Sequence, residues 1–345
     1  MQAPAAIPVS ADILRLIGRI DEFKGAWKAL GDMALERLDA LKRVATIESI
    51  GSSTRIEGAR LSDSEVERLL ANLEVGSFET RDEQEVAGYA EVMDTIFGSW
   101  QDLPVSENYI LQLHGILLRH SEKDAWHHGR YKSSPNHVVT RDASGQEVGV
   151  VFETASPVET PVRMAELVDW YNGTRTENHA LLRIATFVVV FLAIHPFQDG
   201  NGRLSRALTT LLLLKAGYAY VPFSSLESVI EGSKQQYYVA LRRTQSTLRS
   251  EEPDFMPWLR YFLQSLDEQA VRLARKLEAQ SGPPLPELSA AIIAMARRTG
   301  RVTMSDAVRA TGASRNTLKG HFRSLVEQGL LRLHGAGRGA WYERG

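Results

Sequence analysis

The chain has 345 residues, 43% hydrophobic and 24% charged, with no cysteine. Disulfides and thiolate metal sites are excluded, and length and composition suit two or three globular domains. The net charge of −2 hides an asymmetry: residues 285–345 hold ten Lys+Arg against four Asp+Glu, so a basic tail follows an acidic body. Such a tail signals a nucleic-acid partner or a plain surface bias.

Apolar residues at three-to-four spacing, among them Ile13, Leu16, Ile17, Leu35, Leu38 and Leu41, predict amphipathic helices from the start. Ser62-Asp63 caps the next, through Val66, Leu69 and Leu70. Helices follow over 83–96 and 105–118. The stretch 131–152 is rich in β-branched residues, and 137–140 and 148–152 read as arms of a β-hairpin turning at Asp142-Ala143-Ser144-Gly145. Pro161 opens a helix over 161–172. Two more cover 178–194 and 202–216, and Gly217 closes the second. The run 184–194, between Arg183 and His195, is the most apolar. It is too short for the roughly 20 residues of a membrane span and predicts a buried core helix. The start lacks a signal-peptide pattern, so the expected location is cytoplasmic, with no membrane partner.

Helices over 233–248 and 254–280 complete the body, and Ser281-Gly282-Pro283-Pro284 reads as a linker. Beyond it come helices over 288–298, 305–311 (closed by Gly312) and 315–328 (capped by Ser314, closed by Gly329). A hairpin of 330–333 and 339–342 follows, around Gly335-Ala336-Gly337. That order is a winged helix-turn-helix. The expected fold is mainly α, a helical bundle with a β-hairpin and a small C-terminal winged-helix domain. The domains expected are 1–95, 96–280 and 285–345.

Chemistry concentrates in His195-Pro196-Phe197-Gln198-Asp199-Gly200-Asn201-Gly202-Arg203-Leu204-Ser205-Arg206. Two glycines within three residues permit left-handed backbone, so N–H groups can converge as an anion nest where a helix begins. Arg203 and Arg206, at i and i+3, share a helix face, and guanidinium forks match phosphate oxygens. Asp199 at the rim can hold Mg²⁺, which binds through one or two carboxylates plus phosphates. His195 can take a proton from an incoming hydroxyl near neutral pH. Phe197 is expected to anchor the loop in the core.

This run resembles the Fic family motif HPFx[DE]GNGRxxR at every specified position, and the likeness extends over about residues 1–270. The resemblance implies a helical fold with a hairpin flap over the site, and transfer of AMP from ATP to a Ser, Thr or Tyr hydroxyl of a protein, itself included. It implies His195 as general base and Asp199 as the Mg²⁺ ligand. Gly200, Asn201 and Gly202 would cradle phosphates, the Asn201 side chain included. Arg203 would serve the α/β-phosphates and Arg206 the γ-phosphate. Related Doc toxins carry lysine in place of Gly202 and transfer phosphate, so glycine favours AMP.

Ser53-Thr54-Arg55-Ile56-Glu57-Gly58 resembles the family's inhibitory signature [ST]xxxE[GN], with Ser53, Glu57 and Gly58 at its fixed positions. A Glu57 carboxylate pairing bidentately with Arg206 would stand where the γ-phosphate goes. The resemblance also places Val138 and Val139 on the flap, aligning a target strand, although Lys132 and Pro135 depart from the commoner flap. Tyr237, Tyr238 and Gln245 would lie near the nucleoside, with core packing as the tyrosines' other use. Arg315, Lys319 and Arg323 form a basic stripe on the third tail helix, with Arg338 in the wing. The stripe suits DNA phosphates, and protein contact or homodimerisation stays open. Two other functions share these features: removal of AMP at the same site, and DNA-bound regulation with a nucleotide-sensing site.

Overall fold

The computed structural model describes residues 4, 7–29, 35–72, 78–141, 147–281 and 286–344. The chain forms two compact units, Met1–Arg275 and Lys276–Gly345. The expected turn at Asp142-Ala143-Ser144-Gly145 lies outside the described residues, as do Gly282, Pro283 and Pro284 of the linker; Ser281 is the last residue of a helix.

In the first unit, α1 (Ala11–Ala29), α2 (Leu35–Glu57), α3 (Asp63–Ala71), α4 (Arg81–Ser99) and α5 (Glu107–Leu117) precede a hairpin, β1 (Val138–Arg141) and β2 (Glu147–Phe152). Then come α6 (Thr160–Gly173), α7 (Ala180–Ile194), α8 (Asn201–Lys215), α9 (Leu226–Gly232), α10 (Lys234–Gln245) and α11 (Met256–Ser281), which runs past the unit's last residue, Arg275. Sequence periodicity overlooks α9. It has seven residues, too few to show a period, and forms because Leu226, Val229 and Ile230 are buried, with α2 packed alongside.

Ser62 and Thr80 start α3 and α4 with complete capping boxes. The centre is the α7–loop–α8 hairpin. Every residue of α7 from Leu181 to Ile194 is buried, apolar nearly all round as a helix enclosed on every side must be. It packs on α6, α8 and α10, while α8 packs on α2, α4 and α5. Residues before 95 therefore share a core with those after it. Among the described residues, no helix is long and apolar enough to cross a membrane.

The second unit contains α12 (Glu287–Thr299), β3 (Val302–Thr303), α13 (Met304–Thr311), α14 (Arg315–Glu327), β4 (Leu331–His334) and β5 (Trp341–Arg344). The antiparallel sheet has the order β3-β5-β4. One expectation is corrected here: the second hairpin arm is Trp341–Arg344, because Gly337–Gly339 forms a 3₁₀ turn. Periodicity does not reveal β3, a strand of two residues. Ile292, Val302, Leu318, Phe322, Leu325 and Leu331 build this unit's own core.

Candidate active site

The loop between α7 and α8 begins with a left-handed residue. His195 (φ 53°) is the one non-glycine with positive φ among the described residues. Backbone strain of this kind persists where surroundings over-determine it, and here they do. Lys132 is buried and donates to the carbonyl of Ile194 (3.0 Å), to Asn136 Oδ1 (2.7 Å) and to Thr154 Oγ1 (3.0 Å). Its backbone N–H bonds Pro196 O (2.9 Å), and Asn136 Nδ2 donates to the carbonyls of His195 and Phe197. Burial pushes the Lys132 ammonium down to about 8.

His195 Nδ1 lies 3.3 Å from the Leu192 carbonyl. A carbonyl only accepts, so Nδ1 carries the proton and Nε2 is bare. Burial drops this imidazole to about 4, with the Lys132 charge acting in the same direction and Glu57 and Asp199 opposing. His114, on α5, is a second neutral histidine. Its Nδ1 accepts the Gly129 N–H (3.0 Å), so Nε2–H donates to the Asp199 carbonyl (3.1 Å). It stacks on Phe197 with centroids 3.8 Å apart, and burial lowers it to about 3. Phe197 is fully buried, as expected.

These shifts have a definite sign. The unfolded imidazoles sit near 6.5, above their folded values, so on acidification the unfolded chain binds protons first. Stability is expected to fall as pH drops from about 6.5 toward 4. NMR titration should show His195 and His114 neutral at pH 5.5; an inflection near 6.5 at either would contradict the burial argument.

Gly200 (φ 80°, ψ 1°) is the N-cap of α8 and occupies the left-handed region that the nest requires. Gly202 does not share that conformation, which corrects the expectation of two left-handed glycines. It lies in the first turn of α8, and a Cβ on it would collide with the Glu57 carboxylate. Its missing side chain is what admits Glu57.

Asn201 is likewise corrected. Its amide is spent on the backbone of Phe197, accepting from N–H (2.9 Å) and donating to the carbonyl (2.6 Å). The side chain therefore ties the loop shut.

The two arginines of α8 are buried and find different partners. Arg206 donates through Nε to Ser53 Oγ, and through Nη2 to Ser53 O and Glu57 Oε1, each at 2.8 Å. The pairing with Glu57 is thus single, not bidentate, because Ser53 already takes the Nε edge. Glu57, one-third exposed, raises Arg206 above its usual range despite the opposing effect of burial. Arg203 lies 3.2 Å from Glu85 Oε2 and 3.5 Å from Asp199 Oδ1. Arg206 Nη1 and Arg203 Nε are buried N–H donors without a hydrogen-bond partner. Buried donors of this kind can take a further acceptor, a water or an anion oxygen.

Asp199 accepts the Gly200 N–H on Oδ1 and Arg81 Nη2 (3.1 Å) on Oδ2. Arg81, Glu85, His114 and Asn136 are site residues that sequence reading missed. Arg81 and Glu85 stand at i, i+4 on α4, a spacing that signals a helix pair but not the reach of Arg81 to Asp199.

Gly58 closes α2 with φ 114°, a backbone that favours glycine. Tyr237 is buried against Trp258 and Tyr261, a core packing that makes it a wall residue, whereas Tyr238 is half-buried. Gln245 is buried in the last turn of α10. Val138 and Val139 pair through backbone with Phe152 and Val150; their side chains lie outside the described residues.

Fold and loop together define a helical core whose central hairpin presents a left-handed glycine at a helix N-terminus, two buried guanidiniums and a neutral histidine. Residues 104–213 match the Fic/DOC family model, so the chain carries a Fic/DOC family domain. Residues 284–340 match the model for a bacterial protein of unknown function, DUF977. Among similar proteins is the protein adenylyltransferase Fic of Drosophila mojavensis, 26% identical over 260 residues, covering 73% of this chain and 47% of that protein. The one of Aedes aegypti is 25% identical, with coverages of 79% and 50%. This chain thus spans about half the length of these curated relatives. A Fic family protein from Desulfovibrio desulfuricans G20 shares the fold with TM-score 0.64 and 24% identity, covering 100% of this chain and 98% of that one. A Fic domain containing signaling protein from Bacteroides thetaiotaomicron VPI-5482 has TM-score 0.61 and 25% identity, with coverages of 80% and 99%.

Proposed function

We propose that this chain is a protein adenylyltransferase, moving AMP from ATP to a Ser, Thr or Tyr hydroxyl of a protein target, itself included, and that Glu57 holds it shut. One arrangement carries the reading: a neutral His195 with bare Nε2 on the same short loop as the α8 N-terminus, followed by two guanidiniums with unfilled donors. Nε2 would take the hydroxyl proton as the oxygen bonds the α-phosphorus. The α–β bridging bond breaks, and pyrophosphate leaves with its charge on the α8 N–H groups, Arg203 and Arg206. The names of the Drosophila and Aedes relatives point to the same reaction.

Asp199 fits a Mg²⁺ that arrives with the nucleotide. It is a single part-exposed carboxylate, and the described residues include no group of three acidic or histidine ligands able to hold an ion alone. Bound there, Mg²⁺ would neutralise phosphate charge. Tyr238 and Gln245 are proposed beside the nucleoside, and the β1–β2 hairpin, with Val138 and Val139, as the flap that aligns the target by strand addition.

The reverse reaction is a second reading, favoured by one observation: Glu57 meets Arg206 through one oxygen, leaving the other for a water. The deciding experiment incubates the full chain with Mg²⁺ and ATP labelled on the α-phosphate, in wild type, Glu57→Gly and His195→Ala forms. Label on protein that requires His195 supports the transferase. Loss of label from pre-modified protein that requires Glu57 supports removal. Salt-dependent DNA binding with no label anywhere would favour a regulator that only senses nucleotide.

We further infer that the tail unit is a winged helix-turn-helix that binds duplex DNA. Arg315, Asn316, Lys319 and Arg323 are exposed along α14, and the segment around them is basic. Affinity should fall as salt rises, and Lys319→Ala should lower the log–log salt slope by about 1 in fluorescence anisotropy. Self-association with no DNA binding would make this face a dimer contact instead.

A further inference from the structure

Glu57 is poorly held by its own side chain. It takes one side-chain hydrogen bond, 2.8 Å from Arg206 Nη2, and is one-third exposed. Whatever keeps it over Gly202 must act on the backbone of the last turn of α2. Ser53 and Glu57, at i and i+4, share the face toward Arg206, and Arg55 projects away from it.

The Arg55 guanidinium uses all five of its N–H donors. Nε and Nη2 fork onto Glu231 Oε1 and Oε2 on α9 (2.7 and 3.0 Å). Nη1 bonds Asp63 Oδ1 at the start of α3 (2.9 Å) and Leu61 O in the connecting segment (3.0 Å), and Nη2 also reaches Ser52 Oγ (3.3 Å). Lys234, in α10, donates to the Arg55 carbonyl at 3.4 Å. A planar fork of this kind fixes orientation as well as position.

A second observation supports the same assignment. Gly51 stands one turn before Arg55 inside α2, where glycine is unfavourable. A Cβ there would lie 2.6 Å from Arg55 Nη1 and 2.8 Å from Asp63 Oδ1. The glycine leaves the groove in which the Arg55–Asp63 pair lies along the helix.

We propose that Arg55 is the positioning residue of the inhibited state: its clamp on Glu231, Asp63 and Leu61 fixes the final turn of α2, and so holds Glu57 against Arg206. This rests on the proposed inhibitory reading of Glu57. Arg55 bonds neither the loop nor Arg206 in this arrangement, so its effect passes through the turn that carries Ser53 and Glu57, and the Glu57→Gly background separates the two routes.

The test measures AMP transfer from labelled ATP by the full chain in six forms: wild type, Arg55→Ala, Glu231→Gln, Glu57→Gly, Arg55→Ala with Glu57→Gly, and the charge swap Arg55→Glu with Glu231→Arg. Thermal unfolding of each runs alongside. Arg55→Ala is expected to raise transfer about tenfold, and Glu231→Gln by less, because coupled neighbours in one network act non-additively. In the Glu57→Gly background, Arg55→Ala should add less than about twofold, and the swap should stay activated, because Asp63 and the Leu61 carbonyl would then face a carboxylate that cannot donate to them. If Glu57→Gly activates but neither Arg55→Ala nor Glu231→Gln does while both remain folded, the clamp is wrong. A further several-fold gain or loss from Arg55→Ala on top of Glu57→Gly also overturns it. If Glu57→Gly itself fails to activate, the inhibitory reading falls, which is a separate outcome. Should Arg55→Ala not fold, Glu231→Gln carries the comparison, and the absence of any gain in it overturns the proposal.

Discussion

His195→Ala in a Glu57→Gly background is expected to lower AMP transfer by about 10²- to 10⁴-fold, the usual contribution of a positioned general base. The reason is the tautomer. Nδ1 is committed to the Leu192 carbonyl, so Nε2 has a lone pair at every pH above the value of about 4 that burial imposes. Removing the ring removes the proton acceptor and leaves the cradle. Fluorescent ATP-analogue binding should change by less than about threefold, because the Arg203, Arg206 and α8 contacts persist. A variant that transfers AMP at the parent rate would assign the proton to another group. Binding that collapses along with transfer would mean that the strained cap at His195 supports the loop itself.

Glu57→Gly is expected to raise transfer by wild-type protein about 10- to 100-fold. A hydrogen bond between charged groups contributes about 1.5–3 kcal/mol, and here it competes with the γ-phosphate for Arg206 Nη2. The change also clears the space above Gly202, which Glu57 fills. It should not scatter Arg206, since Ser53 still holds Nε and Nη2. It does leave a buried cation with less compensation, so the nucleotide-free variant should melt below wild type. Mg-ATP should then raise its melting temperature by more than it raises that of wild type, because ligand stabilisation follows affinity. Equal ATP shifts and equal labelling in the two proteins would show that Glu57 does not contest the site.

Much of this site could be read from the chain because its spacing is local. Asp199, Gly200 and Arg203 lie on one loop and the first turn of one helix, and four or fewer residues separate neighbours. Their geometry follows from a helix ending, a glycine in left-handed backbone and a second helix beginning. Local grammar misjudged details that depend on what lies opposite. Gly202 looked like a turn glycine, but it is helical and serves as the floor beneath Glu57. The Asn201 amide looked free for phosphate, yet Phe197 offers it both a donor and an acceptor at close range. Of the two uses left open for Tyr237, core packing is the one its contacts with Trp258 and Tyr261 display.

Sequence alone determined the helical character, the buried α7, the loop from His195 to Arg206 and the candidate signature around Glu57. Each depends on periodicity or on residues within a few turns, which short-range backbone preference and burial pattern fix directly. Only the tertiary structure decided that Glu57 reaches Arg206 across 149 residues, that Ser53 limits the contact to one bond, and that Arg81 reaches Asp199 across 118. It also decided that His114 and Lys132 brace the loop from separate elements. Those contacts arise when helices pack, and a helix's own period specifies which face is buried without specifying the face it meets.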